Sequence, residues 1–232
     1  KAPLPTEHAS AAIGVINGVL YEAGGVDCCV AVNTAFAYDI AGNSWTSKPA
    51  MPTTRQRPVG GVINGKFYVA GGLNGSTGLN TLEVYDSSTN AWAALAGMPT
   101  ARFGAGGAVI NGLFYVVGGA IAGASETNVL EVYNPATNSW TTKASMPTAR
   151  ADLATEVVNG VLYVMGGLVG STQLTTVEAY DPASNTWSSH PSMLTARADA
   201  RAAAVGGTIY LIGGYNSSGE LSSVEAYTPA AQ

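Results

Sequence analysis

The 232-residue sequence predicts an all-β fold made of repeated four-stranded antiparallel units standing round a common axis. Three observations carry that expectation. Paired glycines recur at Gly24/Gly25, Gly71/Gly72, Gly118/Gly119, Gly166/Gly167 and Gly213/Gly214, a period of 47 or 48 residues, so five copies of one unit run end to end. Within each copy a turn dipeptide (Asn17-Gly18, Asn64-Gly65, Asn111-Gly112, Asn159-Gly160 or Gly206-Gly207) separates two short apolar runs, the signal of a two-residue hairpin. The composition is 47% hydrophobic and 11% charged with 29 glycines, which suits tightly packed strands, and no helical period is visible.

The elements follow in order along each copy. The first strand is poor in bulk, as in Ala9-Ser10-Ala11-Ala12-Ile13-Gly14 or Arg201-Ala202-Ala203-Ala204, and small side chains belong where backbones crowd. The second carries large residues such as Phe67-Tyr68-Val69 and ends at the glycine pair. A polar loop leads to a third strand ending at Tyr38, Tyr85, Tyr133, Tyr180 or Tyr227. Turns such as Asp181-Pro182-Ala183-Ser184-Asn185 then open a fourth strand at Trp45, Trp92, Trp140 or Trp187. Four strands, crowded at the first and bulky further out, form a wedge, and wedges round an axis make a β-propeller.

The glycine pair, the Tyr 13 or 14 residues later and the Trp seven beyond it resemble the kelch repeat, over essentially the whole chain. The resemblance implies a propeller of four-stranded blades. It implies no single function, because kelch propellers include protein adaptors, sugar-acid epimerases and copper oxidases. The chain reads as one domain, residues 1–232, with repeats at about 4–50, 51–97, 98–145, 146–192 and 193–232, the last completed by residues 1–3. That completion predicts a closed five-bladed ring whose N- and C-terminal segments share one blade, and hence a monomer. The alternative is an arc of a larger ring.

Composition narrows the functional classes. The net charge of −5 is scattered, with no basic cluster for nucleic acid, and no apolar run approaches a membrane span. Low lysine with abundant glycine, threonine and asparagine suits a secreted or periplasmic protein. Adjacent Cys28 and Cys29 exclude a disulfide framework and leave either a strained vicinal bridge or, the expectation here, two free, inert thiols. Only His8 and His190 exist, so no Ser-His-Asp or Cys-His set is visible, and neither a metal nor another cofactor is implied.

Residues recurring in register are structural. Arg55, Arg102, Arg150 and Arg197 open the first strands, and Glu83, Glu131, Glu178 and Glu225 stand two residues before the third-strand Tyr; the first copy has His8 and Phe36 instead of both. Their joint loss predicts that Arg and Glu pair within a blade. Residues that break the template mark candidate function. Gln56, Arg57, Phe103, Asp152 and Asp199, just past the repeat Arg, and Asp27 and Tyr215 in the second-to-third-strand loops should converge on one axial rim. Glu22 and Arg201, charged where other copies are apolar or small, suggest a buried bridge across the seam. The expected function is a non-enzymatic module presenting the rim to a protein or glycan ligand. The alternatives are a sugar-converting enzyme resembling kelch-type sialic acid epimerases, with Asp152, Asp199 and Arg57 as acid, base and carboxylate anchor, and a structural fragment of a longer kelch protein.

Overall fold

The computed structural model describes residues 1–229 and is a five-bladed β-propeller, with no helix among the described residues. Blade four shows the unit: Ala154–Val158, Val161–Met165, Val177–Asp181 and Thr186–His190 form one antiparallel sheet in that order. Blades one to three have the same four strands, starting at Ala12–Ile16, Val59–Ile63 and Gly106–Ile110. Each hairpin pairs as the Asn-Gly signal requires, for example Val158 with Val161 and Ala154 with Met165. The turn asparagines Asn17, Asn64, Asn111 and Asn159 all take a left-handed φ near +50°.

Packing between blades explains the sparse first strand. A Cβ on Gly61 would stand within 3.0 Å of Phe114 of blade three, so that strand accepts the ring of the next blade only because it lacks a side chain. Further out, a tyrosine of each blade leans on one of the next: Tyr21–Tyr85, Tyr68–Tyr133, Tyr115–Tyr180 and Tyr163–Tyr227, with centroids 5.5–6.3 Å apart. Burial pushes the Tyr180 phenol up to about 12.

The recurrent arginine is the fixed point of the blade. Arg55, Arg102, Arg150 and Arg197 are all fully buried and lie 2.6–3.1 Å from Glu83, Glu131, Glu178 and Glu225 of their own third strands. Arg102 also donates to the carbonyls of Val116, Gly118 and Val129. Its backbone carbonyl serves the neighbour: Gly25, Gly72, Gly119 and Gly167 donate their N–H to Arg55, Arg102, Arg150 and Arg197 of the following blade at 2.8–2.9 Å. The predicted pairing within a blade is therefore present at all four positions.

Blade one solves the same problem differently. His8 holds the arginine position and Phe36 the glutamate position, and the acid has moved one strand inward to Glu22, opposite Phe36, with its carboxylate 3.7 Å from His8 Nδ1. The expected Glu22–Arg201 bridge is thus overturned, because Glu22 is engaged inside its own blade while Arg201 is exposed at the axis.

The C-terminal part of the shared closing blade falls on residues 230–232 and lies outside the described residues. Among the described residues blade five has three strands, Arg201–Val205, Thr208–Ile212 and Val224–Tyr227, and residues 1–3 pair with none of them. The N-terminus instead lies against blade one, where Ala2 donates to Asn43 and accepts from the Trp45 indole. That geometry repeats between blades at Trp92–Pro49, Trp140–Ala96 and Trp187–Ala144, so residues 1 and 2 occupy the place of a preceding fourth strand. Gly214 has no partner equivalent to the four arginine carbonyls among the described residues, and no Tyr210–Tyr38 contact completes the tyrosine series. The face of blade five that corresponds to core elsewhere is bare: Val205 is 67% exposed where Ile63 is 3%. On the opposite side of the same gap Ile13 and Val15 are exposed as well.

The buried ion pair yields a direct expectation. Burial without full hydrogen bonding lowers the Arg150 pKa to about 10, with Glu178 opposing the shift, and Arg150 Nε and Nη1 have no partner. Arg150→Ala and Glu178→Ala should each cost about 3–5 kcal/mol, since each leaves a charge buried alone. In urea unfolding the double variant should lose far less than the sum, and additive losses would refute the pairing.

Candidate functional site at the axial mouth

One position in every blade turns towards the axis. Ser10, Arg57, Gly104, Asp152 and Asp199, each two residues past the Arg or His, all take φ between +53° and +60°. The left-handed conformation swings their peptide groups round the circumference, and they link blade to blade. Arg57 N–H donates to Ser10 O at 2.9 Å, Gly104 to Arg57 at 3.1 Å, Asp152 to Gly104 at 2.7 Å and Asp199 to Asp152 at 2.8 Å. A collar of backbone hydrogen bonds thus runs through all five blades and stops at the unsealed interface, where no bond joins Ser10 N–H to Asp199 O. Non-glycine residues held in this region cost free energy, so the surrounding collar has to enforce it.

The side chains on the collar differ from blade to blade. Arg57 of blade two reaches past blade three to form an ion pair with Asp152 of blade four. Gly104 lies beneath that bridge, where a Cβ would collide with the Asp152 carboxylate and stand 3.0 Å from Arg57 Nη2. Phe103 closes the other side, with the guanidinium 5.1 Å from its ring centroid, a cation–π contact that fixes its plane. Asp152 is buried and Arg57 keeps 28% of its side chain exposed, so the pair offers the axis spare guanidinium N–H donors rather than a bare carboxylate. Asp199 and Arg201 complete the mouth, both exposed.

The mouth has a volume of about 40 Å³, room on the order of three waters. Below it the first strands of all five blades surround a channel of about 200 Å³ lined mainly by small or apolar residues such as Ala12, Val59, Gly107 and Ala154. Among the described residues no three His, Cys, Asp or Glu side chains cluster as they would round a metal ion.

Of the residues singled out from sequence, Arg57, Asp152 and Asp199 meet at the mouth and Phe103 supports them. The others do not converge there. Gln56 forms a bridge with Leu73 and faces a groove between the outer hairpins of blades one and two. Tyr215 pairs with Glu220 in the small hairpin of blade five, and Asp27 with Val30 in that of blade one. For Gln56 the physical reason is the spacing, since the residue one past the Arg pairs with a hairpin and the next turns inward; Tyr215 and Asp27 belong to such hairpins themselves. Asp27 instead acts locally, its hydrogen bond and charge pushing the exposed Cys28 thiol up, which disfavours the reactive thiolate; Cys28 and Cys29 are free. Two mouth residues were not assigned to it from sequence. Arg201 was read as a seam residue, and Gly104 shows itself only as the copy with no side chain at the collar position.

The comparisons agree with this architecture. The KLHDC2/KLHL20/DRC7 Kelch-repeats domain model matches residues 1–167 and 97–232, which together span the chain. The chain belongs to the kelch-repeat family. The solved structure of YjhT superposes on this kelch chain with a TM-score of 0.88, at 19% identity, covering 98% of this chain and 84% of that one. At that identity the likeness concerns the fold alone. No curated protein matches the chain in sequence.

Two glycines separate collision from backbone strain. Gly104 (φ +60°) sits under the Arg57–Asp152 bridge, whereas Gly123 (φ +76°) faces open space. Gly104→Ala should therefore destabilise by about 1–3 kcal/mol more than Gly123→Ala, the scale of overpacking, measured by urea unfolding. Equal losses would show that nothing rests on Gly104.

Proposed function

We propose that this kelch propeller is a binding module whose axial mouth grips a projecting group of a protein or glycan partner without transforming it. The carrying observation is the pairing of small volume with built polarity. About 40 Å³ does not bury a sugar ring, while Arg57, held by the buried Asp152, and the exposed Asp199 and Arg201 present donors and acceptors at the surface. Ligand-enclosing sites usually span roughly 300–1,000 Å³, so the partner reads the rim from outside.

The roles follow from the geometry. Arg57, held by Asp152 and Phe103, spends little side-chain entropy on binding and directs its free N–H groups at a carboxylate, carbonyl or hydroxyl of the partner. Asp199 accepts from a donor beside it, and Arg201 adds a second cation from blade five. The mixture of signs favours a partner bearing both donors and acceptors, such as a polar protein loop or a saccharide chain end. A secreted or periplasmic address is part of the same proposal, supported by composition alone.

Glycan-array binding and pull-down from an extracellular or periplasmic fraction test this reading. Arg57→Ala and Asp199→Ala should each weaken the wild-type interaction at least about tenfold, the scale of losing a charged interfacial contact. Unchanged binding, or turnover of an acidic sugar abolished by Asp152→Asn, would contradict it.

A further inference from the structure

We propose that Cys28 and Cys29 form a two-thiolate site for a soft univalent metal ion of the Cu(I) class, held between their sulfurs at the tip of the outer hairpin of blade one. The inference is independent of the axial mouth and of the function assigned to it.

Packing does not account for this pair. Cys28 and Cys29 are the only cysteines of the chain, they are adjacent, and both are free and exposed. A free cysteine usually serves as a small buried hydrophobe, so one held at the surface offers its sulfur chemistry instead.

The turn is shaped to present both side chains. Val26–Asp27 pairs antiparallel with Val30–Ala31, Asp27 opposite Val30, which makes Cys28 and Cys29 the two residues of a tight hairpin loop. Both have left-handed backbone, with φ of +41° and +85°. The corresponding loops are Gly75-Ser76 in blade two and Gly170-Ser171 in blade four, where a glycine takes the left-handed place at φ +58°. Blade one therefore tolerates backbone strain that its counterparts avoid, and what it keeps in return is two neighbouring thiols.

Geometry decides between a bridge and a chelate. Neighbouring Cα atoms stand about 3.8 Å apart, whereas a disulfide favours roughly 4.4–6.8 Å, so direct closure would strain the turn and leave an easily reduced bond. An ion about 2.3 Å from each sulfur holds the two sulfurs roughly 4 Å apart instead of about 2 Å, and the larger ring no longer pulls the turn shut. Each thiol releases its proton to solvent as its sulfur–metal bond forms, and no electron is transferred.

The donor set selects the ion. Structural Zn(II) takes four ligands, and among the described residues no three His, Cys, Asp or Glu side chains cluster to supply even most of them. Asp27, hydrogen-bonded to Cys28, offers only a hard oxygen, and the groove beside Cys29 is lined by neutral residues such as Val30, Thr54, Gln56 and Asn74. Two thiolates without further soft or charged donors suit a soft ion of low coordination number, which among biological metals is Cu(I).

Anaerobic titration of the reduced full chain with Cu(I), in competition with the chromophoric chelator bicinchoninate, tests the site. One Cu(I) per chain is expected, with sulfur neighbours only in X-ray absorption, and excess Zn(II) should not displace it. Cys28→Ser and Cys29→Ser should each weaken binding at least about a hundredfold, the upper end of the effect of losing a supporting group and the lower end for losing a ligand. Both positions are exposed at a turn, so neither variant endangers the fold. Wild-type affinity in either variant, metal-dependent dimerisation showing one ion shared by two chains, or a Cys28–Cys29 bridge that persists in excess glutathione would each overturn the proposal.

Discussion

A buried arginine in four of the five blades is the constraint on which the propeller depends. Its guanidinium gathers the third-strand glutamate and several carbonyls of its own blade, while its backbone carbonyl receives a glycine N–H from the blade before. The same residue therefore sets the shape of a blade and its docking to a neighbour. A buried ion pair is weak evidence for net stability, because desolvation offsets the attraction. Its value here is placement, since a charge that must be compensated in one spot leaves the strands little freedom to slip. Blade one supports that view, because the loss of Arg and Glu is answered by His8 and a relocated acid, Glu22.

From this frame the axial collar follows. Two residues beyond each arginine the chain must turn to enter the first strand, and a left-handed residue there sends its peptide to the next blade. The collar fixes backbone positions and leaves side chains free to differ. Gly104 shows how that freedom is used: an empty position in blade three lets Arg57 cross to Asp152, tying blade two to blade four. The same linkage ends between blades five and one, where the glycine, tyrosine and collar contacts all stop together and core-type side chains are left bare.

Much of this was legible in the sequence, for reasons that can be named. The Asn-Gly pairs impose a local backbone geometry, so strand order and register followed from them. The Arg–Glu pair was readable because one repeat lacks both partners at once. What escaped depends on distances the repeat does not encode. Glu22 and Arg201 looked complementary because both break the pattern, yet His8 lies nearer to Glu22. Gln56 and Tyr215 have the polarity of mouth residues, but Gln56 pairs outward with Leu73 and Tyr215 belongs to the small hairpin of blade five. Residues 1–3 match the end of a fourth strand, and that match is what seats Ala2 against Trp45.

Amide hydrogen exchange, resolved residue by residue, tests the account most directly. If arginine carbonyls lock each blade to the one before, the N–H groups of Gly25, Gly72, Gly119 and Gly167 should exchange slowly, and Gly214, which lacks that acceptor, at least about tenfold faster. Ser10 N–H should exchange as readily as Gly214, while Arg57, Gly104, Asp152 and Asp199 stay protected. Equal protection at all five glycines would mean a sealed ring and would contradict the structure described above.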